Sequence, residues 1–302
     1  MSYLPVWIVL LTLPLVAQQD LAGVIEKSPR LPFERTRIEI PAEIGYPSAV
    51  AMDDQGSIYV LQRGDKADPV LVLNRQGKII HSWGKGLFKI PHSIRIDPQG
   101  NIWTVDSGSS MVLKFSPKGE QLLEIAVGEQ PAGRGPTNGT TDIAFGPQGR
   151  IFISDGYGNS RVLEYTSKGQ RVRQWGSRGT GPGQFNQPHG LAVSEEGVVY
   201  VADRNNARLQ RFTLEGKYLG EWNHLGKVTT VTFRNGALWI GTQLPTLPNE
   251  ADGWHLKLDR HTGKVLGHTV SGRSHHILNV NKRGELLSGA RPDLAWWFTL
   301  SE

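Results

Sequence analysis

The chain of 302 residues contains no cysteine. Disulfides, thiolate metal ligands and cysteine nucleophiles are thereby excluded, and any metal site has to be assembled from nitrogen and oxygen donors. Blocks of like charge are missing too. The 33 basic and 28 acidic residues, net +5, are scattered along the chain, and without a basic run to follow a phosphate backbone no nucleic-acid partner is expected. Long apolar runs are absent except at the start, where Tyr3 to Ala17 (YLPVWIVLLTLPLVA) carries no charge. These 15 residues, interrupted by Pro5 and Pro14, are short for a membrane span and suit a secretory h-region. Residues 1–17 are therefore expected to be a signal peptide and the mature protein to be secreted or periplasmic, a buried N-terminal strand being the plainer alternative. Sustained helical periodicity is also missing.

Glycine is abundant, with 36 residues beside 18 prolines and 9 tryptophans. That is the balance of many short strands joined by tight turns, and it points to an all-β fold. Five stretches align with one another: AVAMDDQGSIYVLQRGD, SIRIDPQGNIWTVDSGSSMVLKFSPKG, DIAFGPQGRIFISDGYGNSRVLEYTSKG, GLAVSEEGVVYVADRNNARLQRFTLEG and TVTFRNGALWIGTQ. HILNVNKRGELLSGA is a degraded sixth in the same phase. Each reads as strand, Gly turn, β-branched or aromatic strand, loop and third strand, and a fourth strand ends near Trp-Gly in HSWG and RQWG.

The residue two before the central aliphatic of each first strand falls on Ser48, His92, Thr141, His189, Thr229 and His275, in steps of 44, 49, 48, 40 and 46. This is the period of a four-stranded propeller blade. The expectation is a six-bladed β-propeller over residues 36–302, monomeric, preceded by a linker at 18–35. The last repeat ends after its third strand, near Trp296 to Leu300, so TRIEIPA (Thr36 to Ala42) is expected to pair into it and close the ring, which removes an exposed sheet edge.

First strands line the axis of a propeller, and alternate blades of six lie about 120° apart. Histidine occupies the reference position in repeats two, four and six, so His92, His189 and His275 can converge on one point, as a catalytic zinc with one open position requires. Nine histidines in 302 residues would place about 0.2 at six given positions by chance. The structural alternative is that Pro-His-x-aliphatic (PHSI, PHGL) packs an imidazole against the next blade. The loops after the second strands reach the same face and carry Arg63 (LQRGD), Tyr157 (SDGYGNS) and Arg204 (ADRNNAR). Two guanidiniums and a phenol near a metal suit a small anionic substrate or a peptide C-terminus, with the phenol as general base. The competing reading makes these arginines structural, paired with an Asp of the neighbouring blade.

GTGPGQFNQPHGLAV is similar to the NHL repeat signature. With RGD, PHSI, DGYGNSR, PHGL and ADRNNAR in this order, the chain from about Ile44 to Ala290 resembles the peptidyl-α-hydroxyglycine α-amidating lyases. The resemblance implies a zinc on His92, His189 and His275, Tyr157 as base, and Arg63 and Arg204 as substrate-orienting residues. It implies cleavage of an N-acyl-α-hydroxyglycine to an amide and glyoxylate, and a structural calcium on the carbonyls of Val50 and Ile94. Two departures stand out: His276 replaces the Asp expected to complete the calcium site, leaving that ion unsupported, and Gly158 replaces a cysteine. A non-catalytic NHL propeller that binds protein or glycan is the alternative from another class. A gluconolactonase-like hydrolase would need carboxylate and Asn ligands to calcium, and Ser48 and His92, without Glu, argue against it.

Overall fold

The Gly turns and β-branched strands of the repeat fold into successive antiparallel meanders. The computed structural model describes residues 21–40, 43–129, 137–246, 253–272, 278–290 and 294–300. A short helix α1 (Leu21–Lys27) and strand β1 (Phe33–Glu39) come first. Four-stranded sheets follow in chain order: β2 (Pro47–Met52), β3 (Ile58–Gln62), β4 (Val70–Leu73) and β5 (Ile79–Trp83); β6 (Pro91–Ile96), β7 (Ile102–Asp106), β8 (Met111–Phe115) and β9 (Gln121–Ala126); β10 (Asp142–Phe145), β11 (Ile151–Asp155), β12 (Arg161–Tyr165) and β13 (Arg171–Trp175); β14 (Pro188–Val193), β15 (Val198–Asp203), β16 (Arg208–Thr213) and β17 (Tyr218–Trp222); β18 (Lys227–Arg234), β19 (Ala237–Gln243), β20 (Gly253–Leu258) and β21 (Val265–Gly272). The remaining strands, β22 (Asn279–Val280), β23 (Leu286–Ala290) and β24 (Leu294–Leu300), share a sheet with β1.

The first strands of consecutive sheets, β2, β6, β10, β14 and β18, pack side by side, which makes the fold an all-β propeller. The sheets stack face to face. Ala49, Tyr59 and Leu61 of one sheet bury against Ile94, Ile102, Leu113 and Phe115 of the next. An inner strand is therefore covered on both faces, so β3 and β4 are buried throughout and read as continuous apolar runs, whereas the outer strand β13 is mostly exposed. The Trp that ends an outer strand covers the Gly turn of the following sheet. A Cβ on Gly216, whose φ is +84°, would stand 2.8 Å from Trp175, and Trp83 and Trp222 sit likewise over Gly119 and Gly263. This contact explains why Trp and Gly recur together in the repeat.

The N-terminal segment departs from expectation. Strand β1 runs three residues earlier than TRIEIPA and pairs antiparallel with β24 from Phe33↔Leu300 to Glu39↔Leu294, while Pro41 and Ala42 lie outside the described residues. Within the expected linker at 18–35, the described residues from Leu21 on dock against the propeller. Leu21 is 2% exposed and packs with Leu225 and Val228, and Val24 and Ile25 face the same cluster, the i, i+3, i+4 spacing of one helix face. After the helix, the Pro29 carbonyl accepts the His268 amide at 2.9 Å and the Leu31 amide donates back to the His268 carbonyl at 2.8 Å. The expected signal peptide at 1–17 lies outside the described residues, and no described helix is long and apolar enough to cross a membrane.

Candidate active site

The ladder between first and second strands is interrupted where the sequence placed its reference residues. Pro47 pairs with Gln62 and Ala49 with Leu61, leaving Ser48 out of register. The same irregularity isolates His92 between Pro91 and Ser93, Thr229 between Val228 and Thr230, and His189 with Gly190 between Pro188 and Leu191. A bulge re-aims the extra residue. Ser48, His92, Thr141, His189 and Thr229 consequently line one cavity of about 30 Å³, each 3% exposed or less. His275 and His276 lie outside the described residues.

His92 Nδ1 lies 2.6 Å from the Thr141 carbonyl and His189 Nδ1 lies 2.8 Å from the Thr229 carbonyl. A carbonyl only accepts, so each ring carries a proton on Nδ1, which in a neutral imidazole leaves the lone pair on Nε2. Both Nε2 atoms face the same oxygen: the Tyr157 hydroxyl is 2.9 Å from His92 Nε2 and 3.3 Å from His189 Nε2, and its single proton can go to only one of them. The two imidazole centroids are 5.1 Å apart. Burial, reinforced by the Arg63 charge, pulls the His92 imidazole down to about 4, so the ring is neutral near neutral pH.

Tyr157 reaches this point because its loop grazes the next sheet. A Cβ on Gly156 would stand 1.8 Å from the Pro188 carbonyl oxygen, so only glycine permits the approach. Burial raises the Tyr157 phenol above its ordinary value, and the charges of Arg204 and Arg63 offset only part of that rise.

Arg63 is anchored through Nε to Ser48 Oγ at 2.8 Å and the Pro91 carbonyl at 3.0 Å, with its guanidinium 5.5 Å from the Tyr46 ring. Arg204 opens a short 3₁₀ turn, is 6% exposed and interacts with the Tyr157 oxygen. Among the described residues it has no carboxylate partner, and its Nε has no acceptor. The structural reading applies instead to the other arginines of these loops: Arg161 pairs with Asp155 at 2.9 Å and Arg208 with Asp203 at 2.7 Å, each within its own loop. A buried guanidinium held by a phenol, beside others that are fully paired, keeps charge that no described carboxylate neutralises.

Sequence reasoning missed several contributors. Gln62, Asp106, Asp155, Asp203 and Gln243 end the second strands, are at most 1% exposed, and several clamp the loop backbone, as Asp203 does with the Asn186 amide at 2.7 Å. They occupy one phase of the repeat, so the signal was available. Tyr46 and Lys227 gave none. Tyr46 stands at the mouth, 42% exposed, and Lys227 lies near enough to Arg204 that burial and then repulsion lower its ammonium pKa. Beside Tyr157 a cavity of about 190 Å³ opens between Ser160, Arg178, Asn186, Gln187 and Asn205.

Two imidazoles held by Nδ1 on backbone carbonyls, with their Nε2 atoms turned to one point, are a donor set that fits zinc. Among the described residues no group of three such ligands is assembled. Calcium does not fit. Val50 and Ile94 border the 30 Å³ cavity, but Arg95 and Asp142 border it as well, and a guanidinium stands where a dication would need oxygen ligands.

An NHL repeat matches residues 185–212. The peptidyl-glycine alpha-amidating monooxygenase of the mouse is 29% identical over 85% of this chain and 30% of its own length. A probable peptidyl-alpha-hydroxyglycine alpha-amidating lyase of Caenorhabditis elegans is 31% identical over 57% of this chain and 56% of its own. The chain thus spans under a third of the mouse protein and just over half of the nematode one. Among solved structures, a streptogramin B lyase superposes with a TM-score of 0.64, covering 89% of this chain and 98% of that one at 15% identity, a likeness of fold alone.

Proposed function

From its similarity to a peptidyl-glycine alpha-amidating monooxygenase over 85% of its length and to a probable peptidyl-alpha-hydroxyglycine alpha-amidating lyase over 57%, and from the meeting of Tyr157 with two imidazoles, we propose that the protein is a zinc-dependent lyase. Its substrate is an N-acyl-α-hydroxyglycine-like carbinolamide, R–CO–NH–CH(OH)–COO⁻, and its products are the amide R–CO–NH₂ and glyoxylate. His92 and His189, with His275 from the sequence phase, would hold the metal. Zinc, when bound, supplies a Lewis acid for the oxygen that gains negative charge.

The chain's own residues do the rest. Arg204 and Arg63 receive the substrate carboxylate, and their charge favours the phenolate form of Tyr157. Tyr157 takes the hydroxyl proton as the C–N bond breaks and the C=O of glyoxylate forms, and the proton is returned to the amide nitrogen. The acyl part would extend into the polar cavity of about 190 Å³ beside Tyr157. The observation that carries this reading is the Tyr157 hydroxyl between His92 Nε2 and His189 Nε2, next to the buried Arg204. The test is glyoxylate release from an N-acyl-α-hydroxyglycine by zinc-loaded protein. No release, together with failure to retain zinc, would remove the lyase reading in favour of a binding platform.

Two further points belong to this proposal. The sheet β22–β23–β24–β1 is taken as the sixth blade, supported by the antiparallel pairing of β1 with β24. The enzyme is taken to be secreted or periplasmic, on the strength of the apolar stretch at Tyr3 to Ala17.

A further inference from the structure

Three residues beyond His92 on β6, Arg95 turns its guanidinium into the axial cavity. Its Nε lies 3.0 Å from Asp142 Oδ1 and one terminal nitrogen 2.5 Å from Asp142 Oδ2, a two-pronged ion pair. The other terminal nitrogen donates to the Leu278 carbonyl at 3.2 Å, and further contacts run to Thr230 Oγ1 at 3.3 Å and the Val231 carbonyl at 3.4 Å. Asp142 in turn accepts from Ser93 Oγ at 2.5 Å, from the Ile143 amide at 2.9 Å and from the Leu191 amide at 3.4 Å. The pair is nearly sealed, its side chains 14% and 5% exposed.

These contacts join β6, β10, β14, β18 and the residue just ahead of β22, elements far apart in the chain that meet only at the axis. A divalent cation in a propeller channel would do the same job, gathering carbonyl and carboxylate oxygens from several blades around one charge. We propose that the Arg95 guanidinium, clasped by Asp142, is the resident cation of this axial cavity, so that the propeller is pinned by an internal ion pair and needs no calcium there. The charges balance within the cavity. A calcium ion would have to displace the guanidinium from Asp142 and remain beside it, with no carboxylate from position 276 to help. The inference is independent of the lyase reading, since every readout below is stability or metal content.

The test uses full-length protein stripped of metal, reloaded with zinc alone, and compared with and without added calcium chloride. For the wild type, Tm is expected to be unchanged by calcium, with no stoichiometric calcium retained after dialysis. Arg95→Ala leaves the Asp142 carboxylate buried without its partner and should lower Tm by on the order of 10 °C without calcium. Added calcium should recover part of that loss, because the vacated volume is faced by Asp142 and by the Leu278 and Val231 carbonyls. If Arg95→Ala does not fold, Arg95→Lys and Asp142→Asn decide: each should fall below wild type, and Asp142→Asn should gain nothing from calcium. A calcium-dependent rise in wild-type Tm would overturn the proposal. So would Arg95 variants as stable as wild type without calcium.

Discussion

The carbonyl oxygen of Thr141 accepts the Nδ1 proton of His92 at 2.6 Å, and through that bond one sheet sets the tautomer of a ring carried by its neighbour. The relation repeats between His189 and Thr229. In both cases the backbone carbonyl of the residue at the same phase of the next sheet is the acceptor that leaves Nε2 facing the axis.

Tyr157→Phe should keep the zinc content and the Tm of the wild type while kcat falls by ~10²–10⁴-fold, the range for losing a general base. Metal analysis beside glyoxylate release measures both. Unchanged kcat would show that the proton leaves by another route.

His189→Ala should lose zinc and activity together. The variant removes one of the two Nε2 atoms that face the Tyr157 hydroxyl. Full zinc occupancy in this variant would place the metal elsewhere.

Arg204 and Arg208 separate substrate binding from folding. Arg204→Met removes a buried guanidinium without a carboxylate partner among the described residues, so Tm should hold or rise while KM for the carboxylate substrate increases by roughly tenfold or more. Arg208→Met strands the Asp203 carboxylate, which is 0% exposed, and should cost about 3–5 kcal/mol of stability. Equal effects of the two variants on Tm would contradict this division.

In zinc-free protein, His92 should make stability pH-dependent in one direction. Its folded pKa is lowered from 6.5 to about 4 by burial, then by Arg63, so the unfolded chain binds the proton first as pH falls. The contribution is complete above about 6.5 and is lost progressively towards about 4. Denaturant midpoints across that window should decline, and His92→Gln should flatten the decline, leaving a part of the same sign to His268. A midpoint that rises on acidification would refute the assignment.

Export should trim the chain. Mass spectrometry of protein recovered outside the cytosol is expected to find an N-terminus near Gln18, and an intact Met1 on that protein would count against the signal-peptide assignment.

Much of the architecture was legible because a blade is a local object. Strand alternation, Gly turns and the Trp that covers the next turn all lie within one repeat length, so the phase that located Ser48, His92, Thr141, His189 and Thr229 could be read by aligning the chain with itself. The docking of Leu21 was not legible, since a seven-residue helix has too little sequence to show a face. The bulges were hidden as well, because a register shift depends on which partner strand is present.

The sequence by itself determined the repeat, the channel-lining residue types and the arginines and tyrosine on the loop face, all consequences of period and turn chemistry. Only the tertiary structure decided which charges are spoken for. Arg204 and Arg208 stand four residues apart in one loop, yet the second is paired within that loop and the first faces Tyr157. Arg95 meets Asp142 across 47 residues of chain. Charge pairing of that kind is a property of distances through space, which exist only once the sheets have packed around the axis.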